Sequence, residues 1–176
     1  MPAVSIILPA YNGAQWIEKA IRSVLAQSFS DFEFLIINDG STDDTETIAL
    51  RFVGQDRRIR YIRNKRNLGI QRTRNISLEQ SHCDYIAEID QDDEWVDRDK
   101  VRKQLDFLKT HPDHVLVGTG AIMIDSRGKE IARYLMPETD QEIRKKLLRK
   151  NCFIHSSVMY RKNPVKEIGG YTIYRM

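Results

Sequence analysis

Four short apolar runs recur along the first half of the chain, separated by stretches with helical spacing, and this alternation most narrows the possible fold. The runs are AVSIILPAY (residues 3–11), FEFLIIND (32–39), IRYIRN (59–64) and DYIAEID (84–90). Each is short and closed by turn formers, and the first two are rich in β-branched residues, as buried strands are. Between them AQWIEKAIRSVLAQ sets Trp16, Ile17, Ala20, Ile21, Val24 and Leu25 at helical intervals, with charges on the other side. STDDTETIALRFVG (41–54) opens with capping residues and ends near Gly54, and IQRTRNISLEQS (70–81) supplies a third helix. The order β-α-β-α-β-α-β requires crossover connections, and so a largely parallel sheet with helices on both faces.

After a helix expected over 97–110 the pattern changes. HVLVGTGAIMIDSRGKEIARYLMP (114–137) alternates apolar and polar residues around SRGK, which reads as a strand followed by an antiparallel hairpin. ETDQEIRKKLLRK (138–150) is expected as a helix and CFIHSSVMYRK (152–162) as another strand. With 176 residues, 41% of them hydrophobic and 30% charged, and no Pro/Gly-rich linker, one mixed α/β domain over 1–176 is the economical reading. The net charge of +3 is too small to argue for nucleic acid, and no nucleic-acid partner is expected. The chain has no apolar run of membrane-spanning length, about 18 residues, and MPAVSIILPAYN does not read as a charged-then-apolar leader. Cys83 and Cys152 are too few for a disulfide framework or a zinc site, so they read as small buried hydrophobes in a reduced, cytoplasmic setting.

YIAEIDQDDEW (85–95) concentrates charge where the fourth strand should end. Asp90, Asp92 and Asp93 repel one another unless something positive, such as a divalent cation, sits among them. Seen alone, such a triplet can be only a turn leading into a helix. The parallel sheet changes this. Its first strand ends in Pro9, Ala10, Tyr11 and Asn12, its second in Asn38, Asp39, Gly40 and Ser41, and its fourth in Asp90 to Asp93. All three ends fall on the edge where such sheets bind ligands, which points to a metal-and-ligand site. The first strand runs into PAYNGAQW and not GxGxxG, which argues against a dinucleotide-dependent dehydrogenase.

SIILPAYNGAQWIEKAIRSVLAQSFSDFEFLIINDGSTDDT, then RNLGIQRTRN, then YIAEIDQDDEW resemble, in that order, the nucleotide-sugar-binding half of the family 2 glycosyltransferases, which have the GT-A fold. FIHSSVMYRKNPVKEIGGY resembles the segment that these proteins carry before an acceptor-side acidic motif. The resemblance implies a GT-A, Rossmann-like, mixed and mostly parallel sheet, with residues 1–96 as the nucleotide-sugar-binding half and 97–176 as a partial acceptor-side half. It implies inverting transfer of a sugar from a nucleotide-sugar, a UDP-sugar, to a saccharide or lipid-linked acceptor. Negative charge builds on the leaving diphosphate in such a reaction, and an oxygen-seeking divalent cation, Mn²⁺ or Mg²⁺, stabilises it. By the same resemblance Asp92 ligates the metal, Asp90 lies near the ribose, and Asp93 supports the loop or a water-mediated ligand. Asp39 would accept a bond from a base N–H, Pro9, Ala10 and the ring of Tyr11 would line the base pocket, and Arg74 would approach the nucleotide.

Several residues keep a second reading. Arg74 also suits a solvated helix face, Trp95 is either a pocket wall or core, and His155 either approaches the diphosphate and metal or is structural. The basic stretches 57–66 and 144–150 either attract diphosphate, an acidic acceptor or anionic lipid at the inner membrane face, or are solvated faces. In the resembling family the general base is an acid shortly after GGY, whereas this sequence ends in GGYTIYRM. The base is therefore expected beyond Met176, in a chain that is a truncated form or the donor-binding part of a longer enzyme. The alternative is a nucleotide-sugar-binding module without turnover.

Overall fold

The computed structural model describes residues 1–172. Its first four strands are β1 (Val4–Ala10), β2 (Phe32–Asn38), β3 (Ile59–Arg63) and β4 (Tyr85–Glu88), joined by helices α1 (Ile17–Leu25), α2 (Thr45–Val53) and α3 (Ile70–Gln80). All four are parallel, as the crossover helices require, with Val4 of β1 opposite Phe32 on one side and Tyr85 on the other. There follow α4 (Lys100–Thr110), β5 (Leu116–Val117), β6 (Ala121–Ile124), β7 (Glu130–Tyr134), α5 (Asp140–Leu147), β8 (Met159–Arg161) and α6 (Lys162–Glu167). The main sheet runs β3-β2-β1-β4-β8-β5, with β8 antiparallel to both of its neighbours, and β6 and β7 form a separate hairpin. This is the mixed, mostly parallel α/β architecture expected of a GT-A fold.

The period of two along each strand divides the core. Ile6 and Leu8 of β1 and Phe34 and Ile36 of β2 pack against Ile17, Ile21 and Val24 of α1, Phe52 of α2 and Leu105 of α4. On the other face Ile7, Leu35, Ile37 and Ile86 meet Leu78 of α3 and Tyr160 of β8. Truncating a fully buried side chain such as Ile6 to alanine costs about 2–5 kcal/mol.

Two expectations are corrected. Trp16 does not join the buried stripe of α1: it sits at the N-cap, outside helical conformation, and is 42% exposed. CFIHSSVMYRK is a strand only over Met159–Arg161, preceded by a 3₁₀ turn at His155–Ser157. Its serines take partners that compete with a strand ladder, since Ser157 N–H and Oγ–H both donate to Ile154 O.

The two basic stretches differ. Within 57–66, Arg58, Arg60 and Arg63 pair with Asp56, Glu33 and Glu46, as suits a strand with one wet side. Residues 144–150 are exposed throughout, and α5 buries no residue. Among the described residues no helix is long and apolar enough to cross a membrane. Cys83 and Cys152 are free and buried.

At the start of α4 the core holds a buried lysine. Lys100 is 6% exposed, with Nζ 2.8 Å from Gln104 Oε1 and 4.0 Å from the centroid of the Trp95 ring. Desolvation pushes its pKa down to about 7, opposed by the charge of Asp97. In the unfolded chain a lysine keeps its proton to about pH 10. The unfolded state therefore binds more protons between about pH 7 and 10, and stability should rise with pH across that window. Lys100→Met should remove this contribution, raising Tm at pH 7 and narrowing the difference toward pH 10. Thermal unfolding of both proteins over that range tests this, and parallel curves would contradict it.

Candidate functional site

The polar ends of the parallel strands meet as the topology demands. Asp39 N–H donates to Ala10 O at 2.7 Å, continuing the β1–β2 ladder, and Ile89 N–H donates to Ile7 O at 3.1 Å. At this edge lies a cavity of about 330 Å³. Its wall contains Pro9, Ala10 and Tyr11 after β1, Asp39 after β2, Arg74 from α3, and Asp90 and Asp92 after β4. The seven residues assigned to the base, ribose, nucleotide and metal thus share one cavity. The wall also includes Asn67, Gly69, Ile70, Thr73 and Gln91, to which no role had been given. The signal for the first three was the RNLGI stretch, whose side chains reveal nothing until it is folded over the sheet, while Thr73 lies in RTRN and Gln91 in DQDDEW.

The GSTDD segment does more than cap α2. Ser41 Oγ accepts from Asn12 N–H at 3.0 Å, Asn12 Oδ1 accepts from Thr42 N–H at 2.9 Å, and Thr45 Oγ1 accepts from Gly13 N–H at 2.8 Å. Asp43 accepts from Ala14 N–H and from the N–H and O–H of Thr45. Burial raises the Asp43 pKa, but these bonds outweigh it and hold the carboxyl below its usual range. Asp44, at the N-cap position, makes no side-chain cap bond. The loops after β1 and β2 are therefore stapled together behind the cavity wall.

Asp39 is 3% exposed and clamps the crossover into α3. Its Oδ1 accepts from Asn64 Nδ2 at 2.7 Å and Leu68 N–H at 3.0 Å, and its Oδ2 accepts from Gly69 N–H at 2.9 Å. The clamp brings the 66–67 backbone so close that a Cβ on Gly40 would lie 2.5 Å from the Arg66 carbonyl carbon, and φ at Gly40 is +73°. Only glycine fits both demands. Across the cavity Gln91 Oε1 accepts from Tyr11 N–H at 2.9 Å and Gln91 Nε2 donates to Tyr11 O at 3.1 Å, tying the acidic loop to the end of β1.

Ser156 sets the other side of that loop. Its Oγ accepts from Asp90 N–H at 2.9 Å and donates to the Asp93 carboxylate. Burial of its carboxyl raises the Asp93 pKa, the Ser156 bond opposes this, and the charges of Asp92 and Asp90 add to the rise. Trp95 is 7% exposed and donates Nε1–H to Ser156 O at 2.7 Å, so it belongs to the core. Arg74 is no solvated helix face: its side chain is 12% exposed and its Nη2 lies 2.5 Å from Asp90 Oδ1. His155 is not among the residues lining this cavity but lines a second one of about 260 Å³, with Phe153, Tyr160 and Tyr171.

Among the described residues no three His, Cys, Asp or Glu side chains form a cation cage. Three carboxylates beside one arginine nevertheless leave an excess of negative charge at an open mouth, where Asp92 is exposed. That donor set suits a hard cation that takes only one or two protein carboxylates and completes its shell from other oxygens.

Comparison with known proteins agrees with this geometry. The model of the Glycosyl transferase family 2 matches residues 5–169. The chain is 33% identical over 175 residues to EpsE of Bacillus subtilis (strain 168), named as a glycosyltransferase, covering 99% of the chain and 62% of EpsE. It is 40% identical over 107 residues to TuaG of the same organism, named as a teichuronic acid biosynthesis glycosyltransferase, covering 61% of the chain and 42% of TuaG. Two solved structures share the fold at low identity. S. aureus TarS 1-349 in complex with UDP-GlcNAc has a TM-score of 0.77 at 19% identity, and the mannosyltransferase PcManGT from Pyrobaculum calidifontis in complex with GDP-Man and Mn²⁺ has 0.74 at 18%. In each case 97% of this chain covers 48% of the solved one, so the chain spans about half the length of these structures. Because the matched region takes in nearly every element of the fold and the whole cavity, the chain belongs to glycosyl transferase family 2.

Proposed function

We propose that the chain is the donor-binding part of an inverting glycosyltransferase that takes a UDP-sugar in the 330 Å³ cavity, with Mn²⁺ or Mg²⁺, and delivers the sugar to a saccharide or lipid-linked acceptor. The observation that carries this reading is the gathering of Asp39, Tyr11, Arg74, Asp90 and Asp92 in a single cavity at the carboxyl edge of the sheet. It is supported by the shared fold of TarS, solved with UDP-GlcNAc, and of PcManGT, solved with GDP-Man and Mn²⁺.

Each residue has a distinct task in this reading. Asp39 is held by Asn64, Leu68 and Gly69, so its carboxylate is oriented before any ligand arrives and accepts the base N–H at Oδ2. Tyr11, 44% exposed, offers its ring to the base beside Pro9 and Ala10. Arg74 holds Asp90 for the ribose. Asp92 would hold the cation, which when bound stabilises negative charge on the departing diphosphate. Asp93, engaged with Ser156, supports the loop. Likeness to TuaG favours an envelope polysaccharide as product. The exposed basic end of α5 suits anionic lipid on the cytoplasmic face of a membrane.

Two measurements test the donor reading. Asp92→Asn keeps the side-chain shape and removes a charge, so calorimetric UDP affinity in the presence of Mn²⁺ should fall at least about tenfold, with Tm unchanged. Metal-dependent affinity equal to that of the parent would remove Asp92 from this role.

The second concerns the base. A buried acceptor that loses its donor costs about 1–3 kcal/mol, so UDP should bind more tightly than CDP, whose N3 bears no hydrogen. Asp39→Asn should narrow the gap and, by weakening the 64–69 clamp, lower Tm. Equal affinities of the parent for UDP and CDP would refute the assignment.

A further inference from the structure

Glu88, the last residue of β4, is fully buried two positions before Asp90. The strand's alternation turns it to the face of Ile86, toward α3 and β8, and away from the face of Ala87. There its Oε1 accepts from the phenols of Tyr160 and Tyr171 at 2.7 and 2.6 Å. Its Oε2 faces Arg74 Nε and His155 Nδ1, each at 3.6 Å. Those three atoms are buried and, among the described residues, have no hydrogen-bond partner. Arg74 also lies over the Tyr171 ring, with Cζ 5.7 Å from the centroid.

This cluster stands in the wall between the two cavities. Arg74 and Asp90 line the first, while His155, Tyr160 and Tyr171 line the second. The guanidinium of Arg74 bridges two carboxylates, the buried one of Glu88 behind it and that of Asp90 facing the first cavity. A buried carboxylate persists only when paired and hydrogen-bonded, and Glu88 has both kinds of support. Burial and the neighbouring Glu88 charge raise the pKa of both tyrosines far above the ordinary phenol value, which keeps them protonated as donors. With Glu88 removed, Asp90 alone would hold the guanidinium and draw it toward the cavity.

We propose that Glu88 is a positioning residue of the donor site: it sets Arg74 between two carboxylates, and so fixes where Asp90 presents itself to the nucleotide, while Tyr160 and Tyr171 fix Glu88. This rests on the reading of the first cavity as the donor site. A merely structural ion pair would affect stability without passing through Arg74 to ligand affinity.

The test is a double-mutant cycle with Glu88→Gln and Arg74→Met, reading UDP affinity with Mn²⁺ by calorimetry beside Tm. Glu88→Gln should weaken UDP about tenfold in the parent and less than about twofold in the Arg74→Met background. Equal losses in both backgrounds would overturn the proposal. Tyr171→Phe, which removes one bond to Glu88 and leaves its charge, should weaken UDP by a smaller factor; unchanged affinity would remove the tyrosine from the arrangement. A ligand-free arm uses ¹⁵N–¹H spectra of arginine Nε–H groups. The Arg74 resonance, identified by its loss in Arg74→Met, should exchange slowly and shift in Glu88→Gln, whereas rapid exchange in the parent or no shift would contradict the pairing. If the parent binds no UDP, the donor reading fails and the spectra decide the Glu88–Arg74 setting by themselves.

Discussion

β1 has neither a free edge nor a free face. All seven of its residues are buried, with β2 along one side and β4 along the other in parallel register. A strand enclosed in this way can be joined to its neighbours only by crossovers, and every crossover returns the chain to the same end of the sheet. The polar residues that terminate β1, β2 and β4 are therefore forced together. Register adds a further consequence. β4 pairs only with Val4–Ile7, so the last three residues of β1 run on beyond it, and the acidic loop turns back beside them. The cavity is the notch left by two strands of unequal length.

What occupies the notch follows from how its loops are held. Neutral groups hold the acidic loop: Ser156 Oγ accepts from the backbone N–H of Asp90, and the Gln91 side chain ties the loop to the backbone of Tyr11. Arg74 pairs with Asp90, but among the described residues no cation pairs with Asp92 or Asp93, and charge accumulates at the mouth. Asp39 is the opposite case, a carboxylate already given three donors and committed to holding the 64–69 crossover. On the proposed reading, binding a nucleotide through a residue that also clamps its own loop would tie recognition of the base to the integrity of the wall around it.

Much of this was legible in the sequence. Periodicity located β1 to β4 and their helices, because a buried parallel strand and an amphipathic helix each leave an unambiguous spacing. The seven candidate residues followed from strand ends and resemblance, and they line one cavity. Less legible were features whose partners are distant in the chain. The serines of IHSS break a run that otherwise reads as strand, and their function shows only when Ser156 is seen against Asp90 and Asp93. GSTDD reads as a cap because capping residues and loop staples are the same residue types. Glu88 was visible as one more acid in YIAEIDQDDEW, but its side of the sheet and its partners at 74, 155, 160 and 171 depend on four separate segments coming together.

The claim at the centre of this account is that the notch beyond β1 and β4 is where a nucleotide-sugar donor binds. A crystal structure of the chain with UDP and Mn²⁺ tests it most directly. The account predicts the uracil ring beside Tyr11 with its N3–H on Asp39, the ribose near Asp90, and the diphosphate and cation at Asp92. UDP bound instead in the second cavity beside His155 and Tyr171, or in the notch with its base away from Asp39, would contradict it.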